Sequence, residues 1–161
     1  MKRAQLLLSL ALGAVALAAG PARAAEKSLY ERLGGEPAIT AVVDDFVGRA
    51  AADPKVDFTR HGKYDKIDVP KLKKQLVNLV GQLTGGPQKY TGKDMKTLHK
   101  GMKITAAQFD ALAGDLVASL DKFKVPAKEK DELLTIVGST KNDIVEASGP
   151  PHKKHKDKRK S

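Results

Sequence analysis

The sequence predicts an all-α fold, and three observations carry that reading. Apolar residues recur at spacings of three and four along most of the chain, no run alternates polar with apolar, and no Asn-Gly hairpin turn breaks the pattern. "GGEPAITAVVDDFVGRAAADP" sets Ile39, Val42, Val43, Phe46 and Ala50 on one helical face. Pro37 fits a first turn, where its missing N–H has no partner to lose, and Asp53-Pro54 closes the helix. "PKLKKQLVNLVGQLTGGP" repeats the pattern with Leu72, Leu76, Leu79, Val80 and Leu83, turns Lys71, Lys73 and Lys74 away, and stops at Gly85-Gly86-Pro87. "ITAAQF" is a start signal. Thr105 as N-cap and Gln108 three residues on make a capping box, with Ile104 and Phe109 in the staple positions. Phe109, Leu112, Ala113, Leu116, Leu120 and Phe123 then run along one stripe. Pro126 opens a last helix carrying Leu133, Val137 and Ile144, expected to fade before Gly149-Pro150-Pro151. Four main helices plus short ones result. Only "KVDFTRHGKYDKIDV" has no assignable period, and so long an irregular connection is of the kind that contributes to a site.

The two ends of the chain differ from its middle. Met1-Lys2-Arg3, the apolar run "AQLLLSLALGAVALAAG" and the small-x-small site "ARA" read as a secretory signal peptide over residues 1–24. A membrane anchor is the rival, but the run ends in Gly-Pro and a cleavage site, and no second apolar stretch follows. The expected product is an exported, periplasmic protein with no transmembrane segment after cleavage, a domain over residues 25–149 and a basic disordered tail over residues 150–161. Its 137 residues suit one domain with a real core. With no cysteine, that core, a bound ligand, or both must hold it together. The formal charge of +10 invites a nucleic-acid reading. Three of those charges leave with the signal and a net five sit in "HKKHKDKRKS", so the body of the chain is close to neutral at +2. No nucleic-acid partner is expected.

Four histidines are the main source of chemistry. His152 and His155 belong to the basic tail, and His61 stands alone in the irregular connection. His99 differs because Met95, Leu98, Met102 and Ile104 surround it. By spacing alone it is either a core histidine bonded to a backbone carbonyl or an apolar-walled imidazole with one nitrogen free for a ligand. Other chemistries lack their parts. Zinc or iron held by protein ligands alone needs clustered His, Cys or carboxylates. Nucleophilic catalysis needs a paired Ser or Cys. Phosphate binding wants a Gly-rich loop after a strand, whereas Gly34-Gly35 and Gly85-Gly86 border helices. A planar cofactor that brings four equatorial ligands of its own needs only one imidazole in an apolar crevice.

"LYERLGGEPAITAVVDDF", "LTGGPQKYTGKDMKTLHKGMKIT" and "FDALAGDLVASLDKFKVP", in that order, resemble a truncated haemoglobin, most similar to group I. The resemblance spans residues 28–146. It rests on Gly34-Gly35 after "LYERL", on Gly85-Gly86-Pro87 with Tyr90-Thr91-Gly92, and on Met95 four residues before His99. It implies a truncated globin, a 2-on-2 helical sandwich binding one b-type haem, with His99 as the proximal iron ligand. Met95, Leu98, Met102, Ile104 and Phe109 then match the proximal wall, and Tyr90 a residue close to a haem propionate. Phe46 matches the first member of a Phe-Tyr pair, while Leu72, Gln75 and Leu76 fall on the distal helix. Where the family commonly has a distal tyrosine that donates to bound dioxygen, this chain has Val47. The position that is often glutamine is Leu76, with Gln75 one residue earlier. His61 and Tyr64 are the other residues expected to be able to fold over the haem. The implied function is binding of dioxygen or another diatomic gas, nitric oxide or carbon monoxide included. Its rivals are a nitric-oxide- or peroxide-detoxifying haem enzyme with a redox partner, a haem sensor or carrier docking through the basic tail, and a haem-free helical binding protein.

Overall fold

Ser28 caps the first helix. Its hydroxyl accepts from the Glu31 amide at 3.2 Å while the Glu31 carboxylate accepts from the Ser28 amide at 2.8 Å, a reciprocal cap that holds even a four-residue helix. The computed structural model of the chain describes residues 26–146. Its helices are α1 (Leu29–Arg32), α2 (Gly35–Ala52), α3 (Val69–Leu83), α4 (Met95–His99), α5 (Ala106–Lys122), α6 (Ala127–Ser139) and α7 (Lys141–Ile144). No strand occurs among the described residues, which matches the all-α expectation. The expected signal peptide and basic tail lie outside the described residues. Within those residues no helix is long and apolar enough to cross a membrane.

Each main helix ends as its sequence requires. Gly34 joins α1 to α2 at φ +95°, a left-handed conformation that a Cβ would strain. Asp53 caps the far end of α2. The Asp68 carboxylate accepts from the Lys71 amide and Pro70 sits in the first turn of α3. Gly85 ends that helix at φ +87°, with Ser28 packed 3.2 Å from where a Cβ would stand. The Thr105–Gln108 capping box starts α5 with both of its hydrogen bonds made.

Helix α2 packs against both α3 and α5, and α5 packs against α6, so one helix pair lies across the other. The core sits between them. Leu29, Val42, Leu116, Leu120 and Leu133 form one buried cluster, and Ile39, Val43, Val47 and Val77 a second. Charges tie the layers at the rim. Arg32 of α1 pairs with Glu129 and Glu132 of α6, and Asp45 of α2 accepts from Arg49, Ser119 and Lys122.

Two segments differ from the periodic reading. The last helix is two pieces, because at Thr140 both the amide and the hydroxyl turn back to the Val137 carbonyl, at 3.0 and 2.7 Å, tightening the turn before α7 resumes. The connection between α2 and α3 forms only turns. Asp57, Arg60 and His61 all adopt positive φ there, and the Asp57 carboxylate accepts from the His61 amide at 2.8 Å. Its Val56 is buried and Phe58 packs on the second cluster, so the segment is anchored despite its irregular path.

Candidate functional site

Helix α4 is the short element that carries His99. Asp94 starts it by accepting from the Thr97 amide at 2.9 Å, and those hydrogen bonds from Thr97 hold the Asp94 carboxyl below its ordinary range. The helix is one turn long, so its direction depends on what grips its ends. The following loop is held from two sides. Arg60 donates to the Met102 and Lys103 carbonyls at 3.0 and 3.2 Å. The Glu146 carboxylate accepts from the Gly101 and Lys103 amides at 2.8 and 2.9 Å, which lowers its pKa. The irregular connection and the end of α7 thus fix the position of α4.

Within that turn the His99 Nδ1 lies 2.8 Å from the Met95 carbonyl oxygen. A carbonyl only accepts, so Nδ1 carries the proton and Nε2 keeps a free lone pair. The ring lines a cavity of about 310 Å³, within the range of cofactor sites, about 300–1,000 Å³. Helix α2 contributes Ile39, Val42, Val43 and Phe46 to its wall, and α3 contributes Leu76, Leu79, Val80 and Leu83. Leu112 and Leu116 come from α5, Ile136 and Val137 from α6, and Ile144 from α7. Among the described lining residues only His99 and Thr140 have polar side chains, and the Thr140 hydroxyl is spent on the Val137 carbonyl. His99 is therefore the one titratable group facing this apolar space.

The residues expected from sequence divide into two groups. Phe46, Leu76, Met95 and His99 meet at the cavity. Leu72 and Gln75 are half-buried on α3 beside it; the Gln75 amide nitrogen donates to the Thr91 hydroxyl at 3.2 Å and its oxygen is buried without a partner among the described residues. Tyr90 donates its phenol to the Lys93 carbonyl at 2.7 Å, and burial followed by the Asp94 charge raises its pKa. Leu98 is 41 % exposed. Met102 and Ile104 are half-buried in the loop after α4. Phe109 is buried but off the wall, with the Lys141 ammonium 5.6 Å from its ring centre. Val47 is buried in the second cluster, one step behind the wall rather than on it. His61 is 93 % exposed beside Asp57, and Tyr64 lies under the Lys63 ammonium; neither lines the cavity. The wall residues of α5, α6 and α7 were legible as core stripe but carried no sign that they would face open space.

A flat apolar macrocycle fits this donor set. The wall offers apolar contact and one imidazole nitrogen, and no group of three or more His, Cys, Asp or Glu side chains able to hold a bare metal ion occurs among the described residues.

Comparison with known proteins points the same way. A family model described as bacterial-like globin matches residues 28–146. The group 1 truncated hemoglobin of Tetrahymena pyriformis is 33% identical over 119 residues, which covers 74% of this chain and 95% of that protein. The crystal structure of the same organism's truncated hemoglobin in its Fe(III) form superposes with a TM-score of 0.68 at 32% identity, covering 74% of this chain and 98% of that one. A 2/2 hemoglobin from Synechococcus sp. PCC 7002, in the cyanomet state and with covalently attached heme, gives a TM-score of 0.66 at 31% identity, again over 74% of this chain and 98% of that one.

Proposed function

The chain belongs to the bacterial-like globin family as a truncated 2-on-2 haemoglobin, and from that premise we propose that it is an exported protein that binds a diatomic gas at a b-type haem held by His99. One observation carries the reading: among the described residues His99 is the only titratable side chain on the apolar wall, and its Nδ1–H is committed to the Met95 carbonyl, leaving Nε2 to a metal. When bound, haem would supply an iron able to coordinate a diatomic gas, with His99 as the residue that would hold it.

The protein's own side chains do the rest. The Met95 carbonyl fixes the tautomer and turn of the imidazole. Phe46, Leu76, Val42 and Val43 keep water from the ligand side. None of the four can donate a hydrogen bond, and the Gln75 amide is turned to Thr91 instead. Dioxygen, which gains most from a donor when bound, is then released quickly; nitric oxide and carbon monoxide lose less.

The test is spectroscopic. Purified with haem, the protein should show a Soret band whose position responds to carbon monoxide. His99→Gly should lose that signature and regain it when free imidazole is added; an unchanged spectrum in the variant would sink the assignment. Export is checked by the N-terminus of the mature protein, expected at Ala25.

A further inference from the structure

Charge is not spread evenly over this molecule. Residues 89–103 hold five lysines, Lys89, Lys93, Lys96, Lys100 and Lys103, against one aspartate, a net of four positive charges. The described chain as a whole has 20 Lys and Arg against 18 Asp and Glu, so everything outside that segment is net negative by two. All five lysines are exposed, and none pairs with a carboxylate among the described residues, whereas Lys73, Lys122, Lys130 and Lys141 each do. Two carboxylates lie within the patch. Asp94 caps α4 and Glu146 accepts from the Gly101 and Lys103 amides; their two charges leave the patch, five lysines in all, a net of three positive.

The spacing gives the patch its meaning. Lysines at 93, 96, 100 and 103 alternate with Met95, His99 and Met102, so the segment that carries the iron ligand presents an outward row of ammonium groups. Leu98, 41 % exposed, and Leu83, 45 % exposed, supply apolar surface beside it. An apolar spot rimmed by one sign of charge suits a transient interface, in which charge steers the encounter and a small dry contact completes it. Lys93, Lys96, Lys100 and Lys103 lie on or beside the short helix that carries His99, so a partner seated on the row is next to the element that would hold the iron.

The geometry points to this lysine row as the docking surface for a small acidic one-electron carrier protein. The inference rests on haem in the cavity. The carrier gives up one electron and is oxidised by one; the ferric iron takes it and becomes ferrous, with no bond made or broken and no proton required. This role is separate from that of the basic tail, because the row is part of the folded body.

The experiment uses the full-length, haem-loaded protein and a reduced plant-type ferredoxin, an acidic iron–sulfur protein, as the probe. Reduction of the ferric haem is followed by stopped flow, and equilibrium binding of oxidised ferredoxin by calorimetry. At low ionic strength, Lys89, Lys93 and Lys96→Glu should slow reduction and weaken binding by about tenfold or more, with the difference shrinking as salt rises. Lys55, Lys124 and Lys128→Glu, an equal change of charge elsewhere, should stay within about twofold. Dithionite should reduce all forms alike. Lys→Gln at the same three positions is the milder variant should reversal impair folding, with a smaller loss of the same sign. The inference is overturned if the row variants match wild type, or if the control variant loses as much. It is also overturned if the row is needed for binding vesicles of about 30 % phosphatidylserine but not ferredoxin. A wild type with no Soret band would instead overturn the haem reading itself.

Discussion

Leu76→Gln should slow the release of dioxygen. Leu76 lies on the cavity wall, one turn from Leu79 and Val80, and no wall residue near it donates a hydrogen bond. An amide there brings an N–H to a space whose only titratable group among the described residues is His99. A hydrogen bond to a ligand that carries partial negative charge is worth about 1.5–3 kcal/mol in such surroundings. At about 1.4 kcal/mol per factor of ten, dioxygen should leave roughly 10- to 150-fold more slowly. Carbon monoxide, less polar when bound, should change by only a few-fold. The amide has a cost as well. Without bound gas it is a polar group in an apolar wall, which destabilises the fold by about 1–3 kcal/mol. The assay is stopped-flow displacement of dioxygen by carbon monoxide, with a thermal melt of each form. A folded, haem-loaded variant whose dioxygen release stays within twofold of wild type would refute the claim that a missing donor controls retention.

Three further substitutions probe the frame around the site. Leu120 is fully buried between α2, α5 and α6, and Leu120→Ala should cost about 2–5 kcal/mol in urea denaturation; a loss below 1 kcal/mol would mean that the core beside the cavity is not close-packed. Asp45 accepts from Lys122, Arg49 and Ser119, and those bonds, Lys122 foremost, hold its pKa well below the ordinary carboxylate value. A depressed folded pKa contributes stability above the unfolded pKa near 4 that is lost as pH falls through the acid range. Asp45→Asn should therefore melt lower than wild type at neutral pH, with the gap starting to narrow only as pH falls below about 4; a gap independent of pH would contradict the linkage. Val47 is 3 % exposed against Ile39, Val43 and Val77, so Val47→Tyr should overpack the second cluster and cost about 1–3 kcal/mol, read from the denaturation midpoint; an unchanged midpoint would reveal unused room behind the wall.

What the sequence made legible was mostly local. The Thr105–Gln108 capping box and the α2 stripe are encoded within a few residues, and the structure reproduces both. The Ser28–Glu31 box was equally readable in "SLYE" and would have located α1. The break at Thr140 is subtler, since the apolar spacing continues from Val137 to Ile144 across it. The ties between layers had no signature at all. Arg32 meets Glu129 and Glu132 across about a hundred residues, and Arg60 reaches Met102 and Lys103 across more than forty. Periodicity says which face of a helix is apolar. It does not say whether that face meets another side chain or a space, and this is why Leu112, Leu116 and Val137 read as core rather than cavity wall.

The same distinction changes what the departure at Val47 means. From sequence it looks like one donor exchanged for a methyl group at the ligand. In the fold, Val47 is buried but does not line the cavity, whereas Ile39 and Val43 of the same cluster, and Phe46 and Leu76 packed against it, do. The absence of a donor is thus a property of two helix faces rather than of one residue. Every turn of α2 and α3 that reaches the cavity presents an aliphatic or phenyl group, and the one nearby amide, that of Gln75, is held by Thr91. A donor placed on the wall itself, at Leu76, replaces a partly buried side chain that packs on the second cluster and none of that cluster's buried members. A donor at Val47 must first displace its neighbours. The order of effect follows from packing: the wall position should govern gas retention, and the buried position should govern stability before it touches the ligand at all.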